Sequence, residues 1–263
     1  MTEMNRYALM LEALAELKPE IDSARRSQSQ PVPALPSLSE VLAEFHPMPS
    51  EAMFMGVASD GFPVLLNLHD PMPGPILISG DAGSGKTRLL QIIASAVGQM
   101  HRSEDVQFGV LTSHPDEWNG LDEIPNNVGV FPLYHQSAED FILSLASWAH
   151  GNKTSQQAVI LLLDDLEAAT NMDFDAKQNL RWLFLRGPAR RVWPITTVNT
   201  NCVENISPWL DAFRTRIFGS IQNSNNARSL NAENAALEAL NIGTQFAMRE
   251  GDHWLKFWIP CFD

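Results

Sequence analysis

Pro75-Ile76-Leu77-Ile78-Ser79-Gly80-Asp81-Ala82-Gly83-Ser84-Gly85-Lys86-Thr87 is the stretch on which the fold turns. Its first part is a short apolar run with the length and composition of a buried strand. Its second part, Gly80 to Thr87, satisfies GxxxxGK[ST], and Thr87 to Met100 continues with the apolar spacing of an amphipathic helix. Position makes the match specific, because a glycine-rich turn cradles phosphates only between a strand and a helix N-terminus. There Gly80, Gly83, Ser84 and Gly85 would wrap the backbone so that its N–H groups face the anion. Lys86 is expected to reach the β- and γ-phosphates, and the Thr87 hydroxyl to ligate Mg²⁺. ATP and Mg²⁺ are the expected ligands.

Downstream, Ala158-Val159-Ile160-Leu161-Leu162-Leu163-Asp164-Asp165-Leu166-Glu167 reads as a strand buried on both faces that delivers acids to its C-terminal edge. Asp164 is the expected Mg²⁺ partner and Asp165 the expected polariser of the attacking water. Asp165 is one methylene shorter than the glutamate common in that role, and Glu167 is a further candidate. Ile195 to Val198 is another strand, leading into Asn199 and Thr200. Asn199 can orient water beside the γ-phosphate; a turn-stabilising Asn is the alternative. Arg190, Arg191, Arg214 and Arg216 are candidates for stabilising transferred phosphoryl charge from a neighbouring subunit.

Strand-like runs at Pro63–Leu68, Ile76–Ser79, Val106–Thr112, Ala158–Leu163 and Ile195–Val198 alternate with helical patterns at Thr87–Met100, Ala138–His150 and Ala176–Leu185. That alternation predicts an α/β fold with an open, mostly parallel sheet. Gln245–Met248 and Trp254–Ile259 flank Arg-Glu-Gly-Asp and predict a closing hairpin with Gly251 at its turn. Residues 1–22 read as an amphipathic helix, with Tyr7, Met10, Leu11, Leu14 and Leu17 at helical steps before Pro19. Residues 23–36, rich in Ser, Gln and Pro, read as a linker. The main domain is then 37–263, opening on a short helix whose Ser37 and Glu40 have capping-box spacing.

The 263 residues, 44% of them hydrophobic, suffice for a substantial core. Net charge is −13, which argues against coating nucleic acid with the whole surface. Lys177 to Arg216 nevertheless holds seven basic residues against Glu204 and Asp211, a local +5 suited to a subunit interface or a channel. Cys202 and Cys261 share no metal or disulfide spacing, and the acidic N-terminus lacks a signal-peptide pattern. No apolar run approaches the ~18 residues of a membrane span. A reducing, cytoplasmic setting without direct membrane insertion is the expectation.

From about Met53 to Asp263 the order of features resembles the FtsK/HerA branch of RecA-like P-loop ATPases, ring-forming motors on double-stranded DNA. The resemblance runs through Phe62 to Leu68 before the loop, Thr112-Ser113-His114-Pro115-Asp116-Glu117, Leu185-Arg186-Gly187-Pro188-Ala189-Arg190-Arg191, Arg216-Ile217 and Gly243-Thr244-Gln245-Phe246. It departs where Asp165 replaces Glu and where Val198-Asn199-Thr200 replaces a Thr-Gln pair. It implies an ATPase in a homo-oligomeric, commonly hexameric ring, acting on double-stranded DNA or a comparable polymer. An ATP-gated assembly module with little turnover, recruiting partner proteins through the N-terminal helix, is the alternative.

Overall fold

The structure, a computed structural model, describes residues 35–152, 155–233, 235–250 and 253–263. The expected N-terminal helix, all of the linker but residues 35–36, and the hairpin turn at Gly251 lie outside the described residues. The chain from Leu38 begins with α1, Leu38–Glu44, closed by the expected capping box. Glu40 N–H donates to Ser37 Oγ at 3.3 Å, and Ser37 N–H donates to Glu40 Oε2 at 2.8 Å. These reciprocal bonds satisfy donors that a helix N-terminus otherwise leaves open. Leu38 and Val41 turn into the core.

The strands are β1 (Ala52–Ala58), β2 (Pro63–Asn67), β3 (Ile76–Gly80), β4 (Val106–Thr112), β5 (Asn127–Pro132), β6 (Ala158–Leu163), β7 (Val192–Asn199), β8 (Thr215–Phe218), β9 (Gln245–Glu250) and β10 (His253–Trp258). Among the described residues they form one sheet, ordered β2-β1-β10-β9-β8-β3-β7-β6-β4-β5. The segment from β8 to β5 is parallel, and β9, β10, β1 and β2 extend it with antiparallel pairs. The expected hairpin is β9–β10, registered from Trp258↔Gln245 to His253↔Glu250.

Both faces of the sheet are covered. On one side lies α2 (Lys86–Met100), burying Leu89, Leu90, Ile92 and Ile93 against Ile78, Phe108, Ile160 and Leu162. On the other lie α3 (Gln136–Gly151), α5 (Phe174–Arg186) and the 3₁₀ segment Thr200–Ala212, packed over Leu111, Leu161, Leu163 and Val198. Successive residues of β6 alternate between the two cores, which is why this strand is apolar at every position. Two short helices complete the set, α4 (Leu166–Ala169) after β6 and α6 (Ser224–Ser229) after β8.

Three strands escaped the sequence reading. β1 is buried at every position and so shows no alternation; β5 contains Gly129 and ends at Pro132; β8 has four residues. β7 starts three residues before the expected Ile195, passing through Pro194, which pairs with Leu161. Proline ordinarily argues against a central strand. β3, β7 and β6 are neighbours, with Gly80 opposite Asn199 and Leu163 opposite Thr196. The phosphate loop, the acidic strand end and the Asn199 strand end therefore share one edge.

Candidate nucleotide site

Helix α2 starts from Gly85, whose left-handed backbone (φ 92) is the N-cap and carries no side-chain cap bond. Its first-turn N–H groups thus face outward for an anion. A Cβ on Gly85 would come within 2.6 Å of Gly243 Cα, so glycine is required there by both backbone and space. Gly243 N–H in turn donates to Ser84 O at 3.3 Å, and Asp81 N–H to Ser220 O at 3.0 Å. The loop therefore rests on two C-terminal segments. Lys86 Nζ donates to Gly80 O (3.1 Å) and Asp81 O (2.9 Å). Burial lowers its pKa, opposed by Glu167, Asp164, Asp165 and Asp81 in that order.

Asp164, 2% exposed, stands at the end of β6 facing Thr87. Thr87 Oγ1 donates to Asp164 Oδ2 at 2.8 Å, and Thr197 Oγ1 donates to Oδ1 at 2.6 Å. Desolvation raises the Asp164 pKa, and the two hydroxyl bonds oppose it. A hydroxyl and a carboxylate converging at the base of a phosphate loop are the hard oxygen donors that Mg²⁺ takes. The residues present fit that ion. Gly83, Gly85, Lys86, Thr87, Arg88, Gln91 and Glu117 line an open pocket of about 510 Å³, which Thr87 borders. A slightly larger groove of about 530 Å³, lined by Leu42, Met48 and Met100 among others, has no carboxylate or cation in its walls. The smaller one carries the chemistry.

Asp165 N–H donates to Thr197 Oγ1 at 2.9 Å, and its backbone is left-handed at φ 71, ψ 66. No hydrogen bond reaches its carboxylate from the described residues. Glu167 Oε1 accepts from Asn199 N–H at 3.1 Å. Asn199 Oδ1 accepts from Asn201 N–H at 3.3 Å, which caps the 3₁₀ segment. That side chain stabilises the turn while its residue sits on the expected edge.

The arginines lie elsewhere. Arg190 and Arg191 precede β7, at the end opposite Asn199; the strand alone, at ~3.3 Å per residue, puts roughly 23 Å between them and that edge. Arg190 Nη1 reaches Asn152 O at 3.4 Å, whereas Arg191 binds Leu68 O and Gln156 Oε1. Arg216 donates to Phe213 O, Leu230 O and Leu210 O at 3.3, 3.3 and 3.0 Å. Arg186 and Arg214 are exposed.

Three contributors were not read from the sequence. Asp81, inside the loop, accepts from the Thr200 hydroxyl and from Gln222 N–H at 2.8 Å, tying loop, β7 end and post-β8 segment together. Thr197 holds both acids of β6. Glu117 borders the pocket and anchors Gln91 through its carbonyl at 2.7 Å. The signal for Thr197 was its place two residues before Asn199; Asp81 offered none beyond being an acid within a phosphate loop.

A mostly parallel sheet with this loop between β3 and α2, and an acidic strand end beside it, defines a RecA-like P-loop fold. Among solved structures the same fold occurs in EssC (ATPases 2 and 3) from Geobacillus thermodenitrificans, with TM-score 0.68 and 16% identity over 89% of this chain and 48% of that one. The cytoplasmic domain of the type VII secretion ATPase EccC of Thermomonospora curvata gives TM-score 0.60 and 12% identity over 88% of this chain and 28% of that one. The conjugation coupling protein TcpA of pCW3, in a monomer form with ATPγS, gives 0.64 and 15% over 88% and 70%. This chain thus spans about half of the EssC chain and about a quarter of the EccC chain. No protein-family model and no curated protein matches it in sequence. Among the described residues no helix is long and apolar enough to cross a membrane.

Proposed function

We propose that the chain binds ATP with Mg²⁺ and hydrolyses it, as a cytoplasmic motor subunit of the FtsK/HerA kind that forms a homo-oligomeric ring on double-stranded DNA. One observation carries the reading: Thr87 Oγ1 and Asp164 Oδ2 meet at 2.8 Å across 77 residues, beneath the loop that holds Lys86. In use, the loop N–H groups and Lys86 hold the β- and γ-phosphates. Lys86 exchanges its bonds to Gly80 O and Asp81 O for phosphate oxygens. Thr87 and Asp164 would hold Mg²⁺, which would neutralise charge on the phosphates. Arg190 and Arg191 lie at the end of β7 away from the loop, on a surface different from the nucleotide site, which is compatible with a head-to-tail ring in which one copy offers an arginine to the next. Arg190 retains donors for that part; Arg216 has committed its fork to carbonyls of its own chain.

A second reading, an ATP-gated assembly module with little turnover, draws on Asp165, whose short carboxylate accepts no hydrogen bond from the described residues. Steady-state ATP hydrolysis with and without double-stranded DNA, at low and moderate salt, separates the two. The motor reading expects DNA-stimulated turnover that Lys86→Ala and Asp164→Asn abolish. Turnover indifferent to DNA points to another polymer. ATP binding without Lys86-dependent turnover overturns the motor and leaves the module.

A further inference from the structure

We propose that Glu167, rather than Asp165, is the carboxylate that orients and deprotonates the water attacking the γ-phosphate, an assignment that rests on the hydrolytic reading above. The backbone makes the difference. Asp165 occupies the left-handed region, a conformation unfavourable for a non-glycine residue that recurs at functional sites. The turn it makes sends the chain into α4 and brings Glu167, two residues on, back to the end of β7. There Asn199 N–H holds Oε1 at 3.1 Å, and Asn199 is the residue paired with Gly80, the first of the phosphate loop. The carboxylate is thus fixed to the strand directly beside the loop.

Its second oxygen is the telling atom. Glu167 Oε2 is buried and accepts no N–H or O–H hydrogen bond from the described residues. The Cys202 thiol has its pKa raised by its own burial and then by the charge of, and a hydrogen bond to, this carboxylate, but a thiol is a weak donor. A buried carboxylate oxygen left in this state is costly unless something else completes it. A water bound between Oε2 and the γ-phosphate would do so.

Lys86 marks where that phosphate lies, and among the acids around Lys86 the strongest electrostatic partner is Glu167, ahead of Asp164 and Asp165. The groups facing Glu167 are Lys86 from α2, Asp165 from the β6 end and Cys202 from the 3₁₀ segment. Desolvation, with Asp165 adding to it, raises the Glu167 pKa against the N–H bonds from its own backbone and Asn199 and the charge of Lys86, and a raised pKa makes a carboxylate a better proton acceptor. In the step itself the water oxygen bonds to the γ-phosphorus as the bond to the β–γ bridging oxygen breaks. ADP leaves with that oxygen, and the proton shed by the water passes to Glu167 and then to solvent.

The test compares Glu167→Gln and Asp165→Asn in the full chain, reading kcat, affinity for a fluorescent ATP analogue and the pH dependence of kcat. Glu167→Gln is expected to lower kcat by about 100-fold or more, with affinity within about threefold. It should also lose the acid limb of the pH profile. Asp165→Asn should cost less than about tenfold and keep that limb. If the glutamine variant does not fold, Glu167→Asp replaces it, with at least a tenfold fall in kcat expected at unchanged affinity. A gap of less than tenfold between the two positions overturns the assignment alone. Absence of Lys86-dependent turnover in the parent chain overturns the hydrolytic reading and the assignment with it.

Discussion

Asp164 illustrates how a site residue can be held at the expense of the fold. Its carboxylate is buried and accepts only two hydroxyl bonds, so its pKa is raised from the ordinary 3.8, burial being the main cause. A carboxylate whose folded pKa lies above its unfolded one binds its proton more tightly when folded. Its contribution to stability is therefore greatest below pH 3.8 and declines as pH rises through the raised folded value. Asp164→Asn should remove this dependence. At pH 7.5 its melting temperature is expected to exceed the parent's by about 2–4 °C, the shift that roughly 1 kcal/mol produces in a domain of this size. The difference should shrink toward pH 4, and Mg²⁺-dependent nucleotide binding should be lost. Calorimetry across pH checks it: a variant less stable than the parent at every pH contradicts the argument. The expected outcome, a more stable variant that has lost nucleotide binding, sets stability against function at this residue, as at many active sites.

Among the elements, α1 was legible because its cap is local: Ser37 and Glu40 are three residues apart and complete each other's bonds. Ser37→Ala should cost about 1 kcal/mol, read as a fall in melting temperature and faster amide exchange over Leu38–Glu44. Arg216 is different. Its guanidinium joins the 3₁₀ segment at Leu210, the approach to β8 at Phe213 and the end of α6 at Leu230. Nothing local announces this, because the three carbonyls lie on segments that only the fold assembles. Arg216→Ala should destabilise by about 1–3 kcal/mol while hydrolysis per folded molecule persists, since carbonyls are left unpaired. Lysine should rescue it poorly, lacking the planar fork. Lost turnover at unchanged melting temperature would instead make Arg216 the residue acting on a neighbour.

For the whole molecule, the separation of the arginine-bearing end from the phosphate loop turns the question of activity into one of assembly. A single copy holds a loop at one end of its parallel strands and Arg190 at the other. Specific hydrolysis should therefore rise with protein concentration and level off once assembly is complete, followed by light scattering on the same samples. Lys86→Ala and Arg190→Ala, each inactive alone, should recover roughly a quarter of the parent rate when mixed, because random head-to-tail pairing joins an intact loop to an intact arginine. Mixtures that stay inactive would argue that each copy works with its own residues.

Ile76 to Met100 was readable by itself, because strand, glycine turn and amphipathic helix are each set by neighbours in the chain. The same holds for β6, whose uninterrupted apolar run ends in Asp164. What required the tertiary structure were relations between distant segments. β1, β5 and β8 are strands by virtue of the partners they pair with, and Pro194 sits in a central strand because the strands around it hold it there. Asp81 meets Thr200 across 119 residues, and Glu167 meets Asn199 across 32. Pattern and spacing report a residue's own conformation and which face it presents. Which carboxylate ends beside Lys86 depends on a left-handed turn at Asp165 and on β7 lying between β3 and β6, and only the packed sheet decides that.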